Sequence, residues 1–201
     1  MFDFYDDYYK AARDMAWRAL ISAGVVSLPI DLAVIALYYE IDIVRYSKCG
    51  FIGLFRPEII SGDGFITMVE GRKTIFLNDT VKTLGRRRFT VGHELGHGIL
   101  GHPLDNIVAR NSEVDSATDP REMQCNVFSR DILAPACVLD AIGVTSADDI
   151  MRLCLLSRKS AEIRLERLNL LRRRGAFFTS SLERQVYNQF QPFIDRVKNE
   201  R

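Results

Sequence analysis

The chain is short of cysteine, of histidine and of any excess charge, and each shortage narrows what it can be. Its four cysteines, Cys49, Cys125, Cys137 and Cys154, are widely spaced and form no C-x-x-C pair. That is not the density of a small secreted disulfide framework, so the thiols read as reduced. Lys+Arg 27 against Asp+Glu 26 leave a formal net charge of +1. No global field draws the molecule to nucleic acid or to an anionic membrane, and any such patch must be local. No apolar stretch approaches the roughly 20 residues of a membrane span. The N-terminus, Met1-Phe-Asp-Phe-Tyr-Asp-Asp, is acidic and aromatic where a secretory signal has a basic start and an apolar run. These absences predict a soluble, cytoplasmic protein with no membrane partner. What is present is ordinary: 47% hydrophobic and 26% charged residues over 201 positions, enough for one domain with a real core and at most a small companion.

Apolar periodicity predicts helices over Tyr8 to Ala23, ended by Gly24, and from Pro29 to about Tyr39. Ile41 to Tyr46 alternates like a strand, and Gly64 to Glu70 with Lys73 to Leu77 reads as a hairpin turning at Glu70-Gly71-Arg72. A long helix is expected from Thr83 to Leu100, a polar loop through Thr118, and a helix from Pro120 to Leu133 that Pro135 ends. Ser146 to Leu156 and Ser157 to Leu171 read as two consecutive helices, and a capping box at Ser180 to Glu183 opens a terminal helix reaching Lys198. The class is therefore α+β and predominantly helical, with a small three-stranded, mainly antiparallel sheet. A soft boundary near Gly143 divides a domain at 1–143 from a helical C-terminal segment at 144–201, a helix-turn-helix-like pair plus an amphipathic helix.

All three histidines fall within His93-Glu94-Leu95-Gly96-His97-Gly98-Ile99-Leu100-Gly101-His102. On a helix His93 and His97 project from one face a turn apart, and with Glu94 they form the H-E-x-x-H arrangement in which two imidazoles bind Zn²⁺ and the glutamate works on a zinc-bound water. The rest of the segment from Phe89 to Gly101 is almost wholly apolar or glycine, so two imidazoles and a carboxylate would sit buried there, at a cost of several kcal/mol without partners. A cation removes much of that cost. Gly92, Gly96, Gly98 and Gly101 weaken the helix by roughly 1 kcal/mol each relative to Ala, which points to close approach of other backbone.

A catalytic zinc keeps three protein ligands and an open position. His102 follows His97 one residue short of the spacing that supplies a third histidine and reads as a helix-end residue. Glu122, 25 residues beyond His97 on the next helix, is better placed, with Asp115, Asp119, Asp131 and the softer Cys125 as rivals. Asn126, one turn after Glu122, is positioned to orient a ligand histidine through its other ring N–H.

These residues resemble the ImmA/IrrE family of zinc-dependent metallopeptidases. The family's arginine-rich approach and F-T-x-x-H-E-x-G-H are matched by Arg86-Arg87-Arg88-Phe89-Thr90-Val91-Gly92-His93-Glu94-Leu95-Gly96-His97. Its E-x-x-A-N-x-F-A and L-x-x-P are similar to Glu122 through Ser129 and Leu133-Ala134-Pro135, with Cys125 and Ser129 where alanine is usual. The likeness runs from about residue 28 to 170. It implies a zincin-like fold, Glu122 as third ligand, a cytosolic setting and a protein substrate, a helix-turn-helix repressor of a mobile element or stress response.

The mechanism expected on this reading has His93, His97 and Glu122 holding Zn²⁺, with Glu94 as general base. The substrate lies as an added strand along Gly64 to Glu70 or Lys73 to Leu77. The alternative is a non-hydrolytic, metal-containing regulator that binds a repressor, or DNA through the basic stretch from Arg158 to Arg174. For that stretch a solvated face on a packed helix is the favoured reading.

Overall fold

The computed structural model describes residues 2–49, 62–104 and 119–200. Helix α1 (Phe2–Ser22) starts six residues before the apolar period does, because the period marks only the face that packs: Ala12, Ala16, Ala19 and Leu20 are buried. Gly24, at φ 65, ends it in a left-handed turn, with the Val25 N–H donating to Leu20 O at 3.1 Å. This is a Schellman-type closure. Helix α2 (Leu32–Tyr38) begins later than Pro29, where the Asp31 carboxylate accepts from the Ala33 N–H at 2.9 Å.

Three strands follow: β1 (Ile41–Arg45), β2 (Gly64–Val69) and β3 (Arg72–Leu77). The hairpin turns at Glu70 (φ 50) and Gly71 (φ 82), the paired positive φ angles of a type I′ turn. The sheet has the order β1-β3-β2 and is mixed. β2 pairs antiparallel with β3, Gly64 opposite Leu77, whereas β1 runs parallel to β3 with Ile41 opposite Lys73. The expected three strands are present, but only the hairpin is antiparallel. A connection long enough for a crossover separates β1 from β2, and this permits parallel pairing. Ile41, Ile66 and Ile75 face the main core; on the other face Phe65 and Phe76 stack at 5.1 Å.

Helix α3 (Leu84–Leu100) carries His93 and His97 and lies between the sheet and α4 (Pro120–Leu133). Then come α5 (Ala136–Ala141), α6 (Ala147–Cys154), α7 (Arg158–Arg173), α8 (Ser181–Gln189) and α9 (Gln191–Asn199). Helix α5 escapes a periodicity reading because four consecutive residues, Ala136 to Leu139, are all buried. The expected terminal helix is two, interrupted at Phe190, since Pro192 has no N–H for the ladder. The Ser180 hydroxyl caps α8 by accepting from the Glu183 N–H at 3.1 Å.

One continuous core joins Leu20, Leu95, Phe128, Ile132, Leu139, Ile150, Leu168, Val186 and Ile194, so buried side chains on both sides of Gly143 belong to the same cluster. Inside it the Arg164 guanidinium donates to Ala134 O at 2.7 Å and to Asp131 Oδ1 at 2.9 Å, while Arg130 donates to Asp131 Oδ2 at 2.8 Å and to the Tyr9 hydroxyl at 2.6 Å. This network ties α1 and α7 to α4. Among the described residues no helix is long and apolar enough to cross a membrane.

Candidate metal centre

The site exists because α3 turns glycines, not side chains, toward α4 where the two helices touch. A Cβ on Gly92 would stand 2.7 Å from Ser129 Oγ, and one on Gly96 would stand 3.2 Å from Cys125 Cα. Both distances are inside normal packing, so the glycines are what lets the two helices meet. Ser129, where the family pattern has alanine, uses the contact to donate to Phe89 O at 3.0 Å. Gly98 does the same toward the sheet, where its Cβ would lie 2.8 Å from Ile66 Cδ1. The arginine run fastens the other end of α3: Arg86 pairs with Asp63, and Arg88 donates to Ile30 O at 2.7 Å.

At this contact His93 Nε2 lies 2.9 Å from Glu122 Oε2 and 3.2 Å from His97 Nε2, and His97 Nε2 lies 3.2 Å from Glu122 Oε1. Two imidazole nitrogens and a carboxylate therefore converge on one point. Around a tetrahedral ion with bonds of roughly 2.0–2.2 Å, neighbouring donors stand about 3.3–3.6 Å apart. The donor set and its spacing fit such an ion.

The electrostatics say the same in terms of charge. Hydrogen bonds from His93 and His97 hold the Glu122 carboxyl well below the usual carboxylate range, against the opposing effect of burial. Burial of the His93 ring disfavours its charged form, yet the Glu122 hydrogen bond and the charges of Glu94 and Glu122 together raise its pKa. The carboxylates call for positive charge at this position, and a protonated ring or a bound cation answers the same demand.

Glu94 is 7% exposed. It shares a cavity of about 290 Å³ with Asp63, Gly64, Phe89, Thr90, His93, Glu122 and Asn126. The cavity thus runs from the start of β2 to His93. Asn126 Oδ1 lies 3.1 Å from His93 Nδ1, the position expected of an orienting acceptor.

Two of the rivals for the third donor are engaged elsewhere. Asp119 is the N-cap of α4, accepting from the Arg121 N–H at 2.8 Å. Asp131 is buried against Arg164 and Arg130. Asp115 lies outside the described residues. Cys125 is fully buried, and its sulfur, with ring nitrogens of His93 and His97, forms a group within 4.8 Å that can hold a metal ion.

Sequence reasoning missed a second layer on the His97 side. His102 Nδ1 lies 3.1 Å from His97 Nδ1, and His102 Nε2 lies 3.0 Å from Gln124 Oε1. The signal was there in Gly101-His102: the glycine, at φ 75, reverses the chain so that the His102 N–H donates to His97 O at 3.0 Å.

The family model for the IrrE N-terminal-like peptidase domain matches residues 55–166, just over half of the chain. The match spans α3 and α4 and gives the protein a metallopeptidase-type function. Among curated proteins none matches the chain.

Proposed function

Because the chain belongs to the IrrE N-terminal-like peptidase family, we propose that it is a zinc-dependent endopeptidase. In this reading His93, His97 and Glu122 hold the metal and Glu94 is the general base. The observation that carries it is the Glu122 carboxylate set between two Nε2 atoms, 2.9 and 3.2 Å away. Cys125 shares the histidines but only within the wider 4.8 Å group, so the carboxylate is the better third ligand. Zinc held there supplies a Lewis acid for the scissile carbonyl and brings the pKa of water toward neutrality.

The protein's own residues do the rest. Glu94, in the same cavity, accepts the proton of the attacking water and returns it to the leaving amine. Asn126 Oδ1 accepts a hydrogen bond from the His93 Nδ1–H and fixes that ring. Of the two strands named for substrate pairing, β3 is central and already bonded on both sides, while β2 is an edge among the described strands, and its first residue, Gly64, lines the cavity. An extended substrate added along β2 therefore enters beside Glu94. The resemblance to ImmA/IrrE proteins supports a helix-turn-helix repressor as that substrate. Binding to DNA through α7 is the weaker reading. Arg158 pairs with Asp148, Arg164 with Asp131 and Arg172 with Asp140, so much of the local positive charge is balanced within the molecule.

Metal analysis of the purified protein tests the ligand set. The wild type and Cys125→Ala carry one equivalent of zinc, and His93→Ala and Glu122→Gln lose most of it. Full zinc content in Glu122→Gln, or its loss in Cys125→Ala, overturns the assignment.

A further inference from the structure

We infer that His102, held in turn by Gln124, is a positioning residue for His97: it fixes the His97 proton on Nδ1 and so leaves Nε2 free to bind the metal. The inference rests on the reading of His97 as a ligand.

With His97 Nε2 given to the metal, the contacts of the two rings fit one proton arrangement. His97 Nε2 faces His93 Nε2 and Glu122 Oε1, each at 3.2 Å. To offer a lone pair there, the neutral ring must carry its proton on Nδ1. That atom lies 3.1 Å from His102 Nδ1, which must then accept and carry its own proton on Nε2. Gln124 Oε1, 3.0 Å from that Nε2, is the matching acceptor. In this arrangement neither of the two rings carries a charge. Cys125 Sγ, 3.5 Å from His102 Nδ1, is farther away and a weaker donor, so it does not displace His97.

Burial makes the partner necessary. His97 is 2% exposed, so solvent does not stand in for His102 at Nδ1. The two ligand histidines are treated alike: His93 Nδ1 has Asn126, on the same helix as Gln124. Gly101 completes the device, since its left-handed conformation brings the His102 ring to 5.1 Å from the His97 ring at an interplanar angle of 73°. Removing an acceptor of this kind typically weakens metal binding 10- to 100-fold.

Zinc affinity of the full chain, measured by chelator competition, tests this with His102→Leu, which has no acceptor, and His102→Asn, whose amide oxygen accepts in place of Nδ1. The wild type binds one equivalent, His102→Leu binds about 10- to 100-fold more weakly, and His102→Asn recovers to within about threefold. The visible spectrum of the Co²⁺-loaded wild type and of His102→Asn should coincide, as expected if residue 102 is outside the ligand set. Undiminished affinity in His102→Leu, no recovery in His102→Asn, or two metal equivalents in the wild type overturns the assignment. Should His102→Leu fail to fold, Gln124→Leu carries the test, because unchanged affinity there overturns it equally. A wild type that binds no zinc, or a His93→Ala variant that binds it as tightly, instead sinks the metal reading itself.

Discussion

Glu122 Oε2 sits 2.9 Å from His93 Nε2 although the two residues are 29 positions apart and belong to different helices. The contact depends on the α3–α4 packing that Gly92 and Gly96 permit.

Glu94 stands apart from the ligands in its expected effect. On the proposed reading, Glu94→Gln keeps the shape of the cavity and the zinc but removes the proton acceptor, so hydrolysis of a repressor substrate should fall by about 10²- to 10⁴-fold. Zinc content and cleavage rate measured on the same preparation check this. A variant that cleaves at the wild-type rate with zinc bound removes Glu94 from the mechanism.

Gly96→Val tests the helix contact. The new side chain meets the Cys125 backbone and the Phe128 ring, each 3.2 Å from the Cβ position. Overpacking of this kind costs about 1–3 kcal/mol, more than the small gain in helix propensity returns. The urea midpoint should drop and zinc content with it; a midpoint at or above wild type would show that α4 yields without cost.

Asp131 gives the molecule an acid-sensitive joint. Its burial favours the protonated form, but Arg164 and Arg130 outweigh that and depress the pKa below the ordinary carboxylate value. A depressed carboxyl contributes stability that is complete above the unfolded value, about 3.9, and drains away as pH falls through the lower folded value. Asp131→Ala leaves Arg164 buried without its partner and should cost about 3–5 kcal/mol at neutral pH. Stability curves between pH 2 and 7 check both points: the gap between wild type and variant should close toward the acid end.

Much of this was legible in the sequence where chemistry and local rules coincide. His93, Glu94 and His97 share one helix, so spacing alone placed them, and Ser146, Ser157 and Ser180 marked helix starts because a side-chain oxygen at that position has a backbone donor to satisfy. Glu122 was nominated from loop length and helix order, with Asp119 and Asp131 still in contention until their partners were seen. Parallel pairing of β1 with β3 was not legible, because the alternation of a strand says nothing of its neighbour's direction. The role of His102 was hidden for a different reason: it depends on one left-handed residue, Gly101, and helical periodicity ends where that residue begins.

The way Glu122 reaches its partners makes the centre a gauge of alignment. A helix turns by roughly 100° and rises 1.5 Å for each residue, so a slip of α4 by one position against α3 would swing the carboxylate away from both rings. With an ion held as proposed, its binding and the seating of these two helices are one equilibrium rather than two. Loading the ion should lock the pair, and prying the pair open should release the ion.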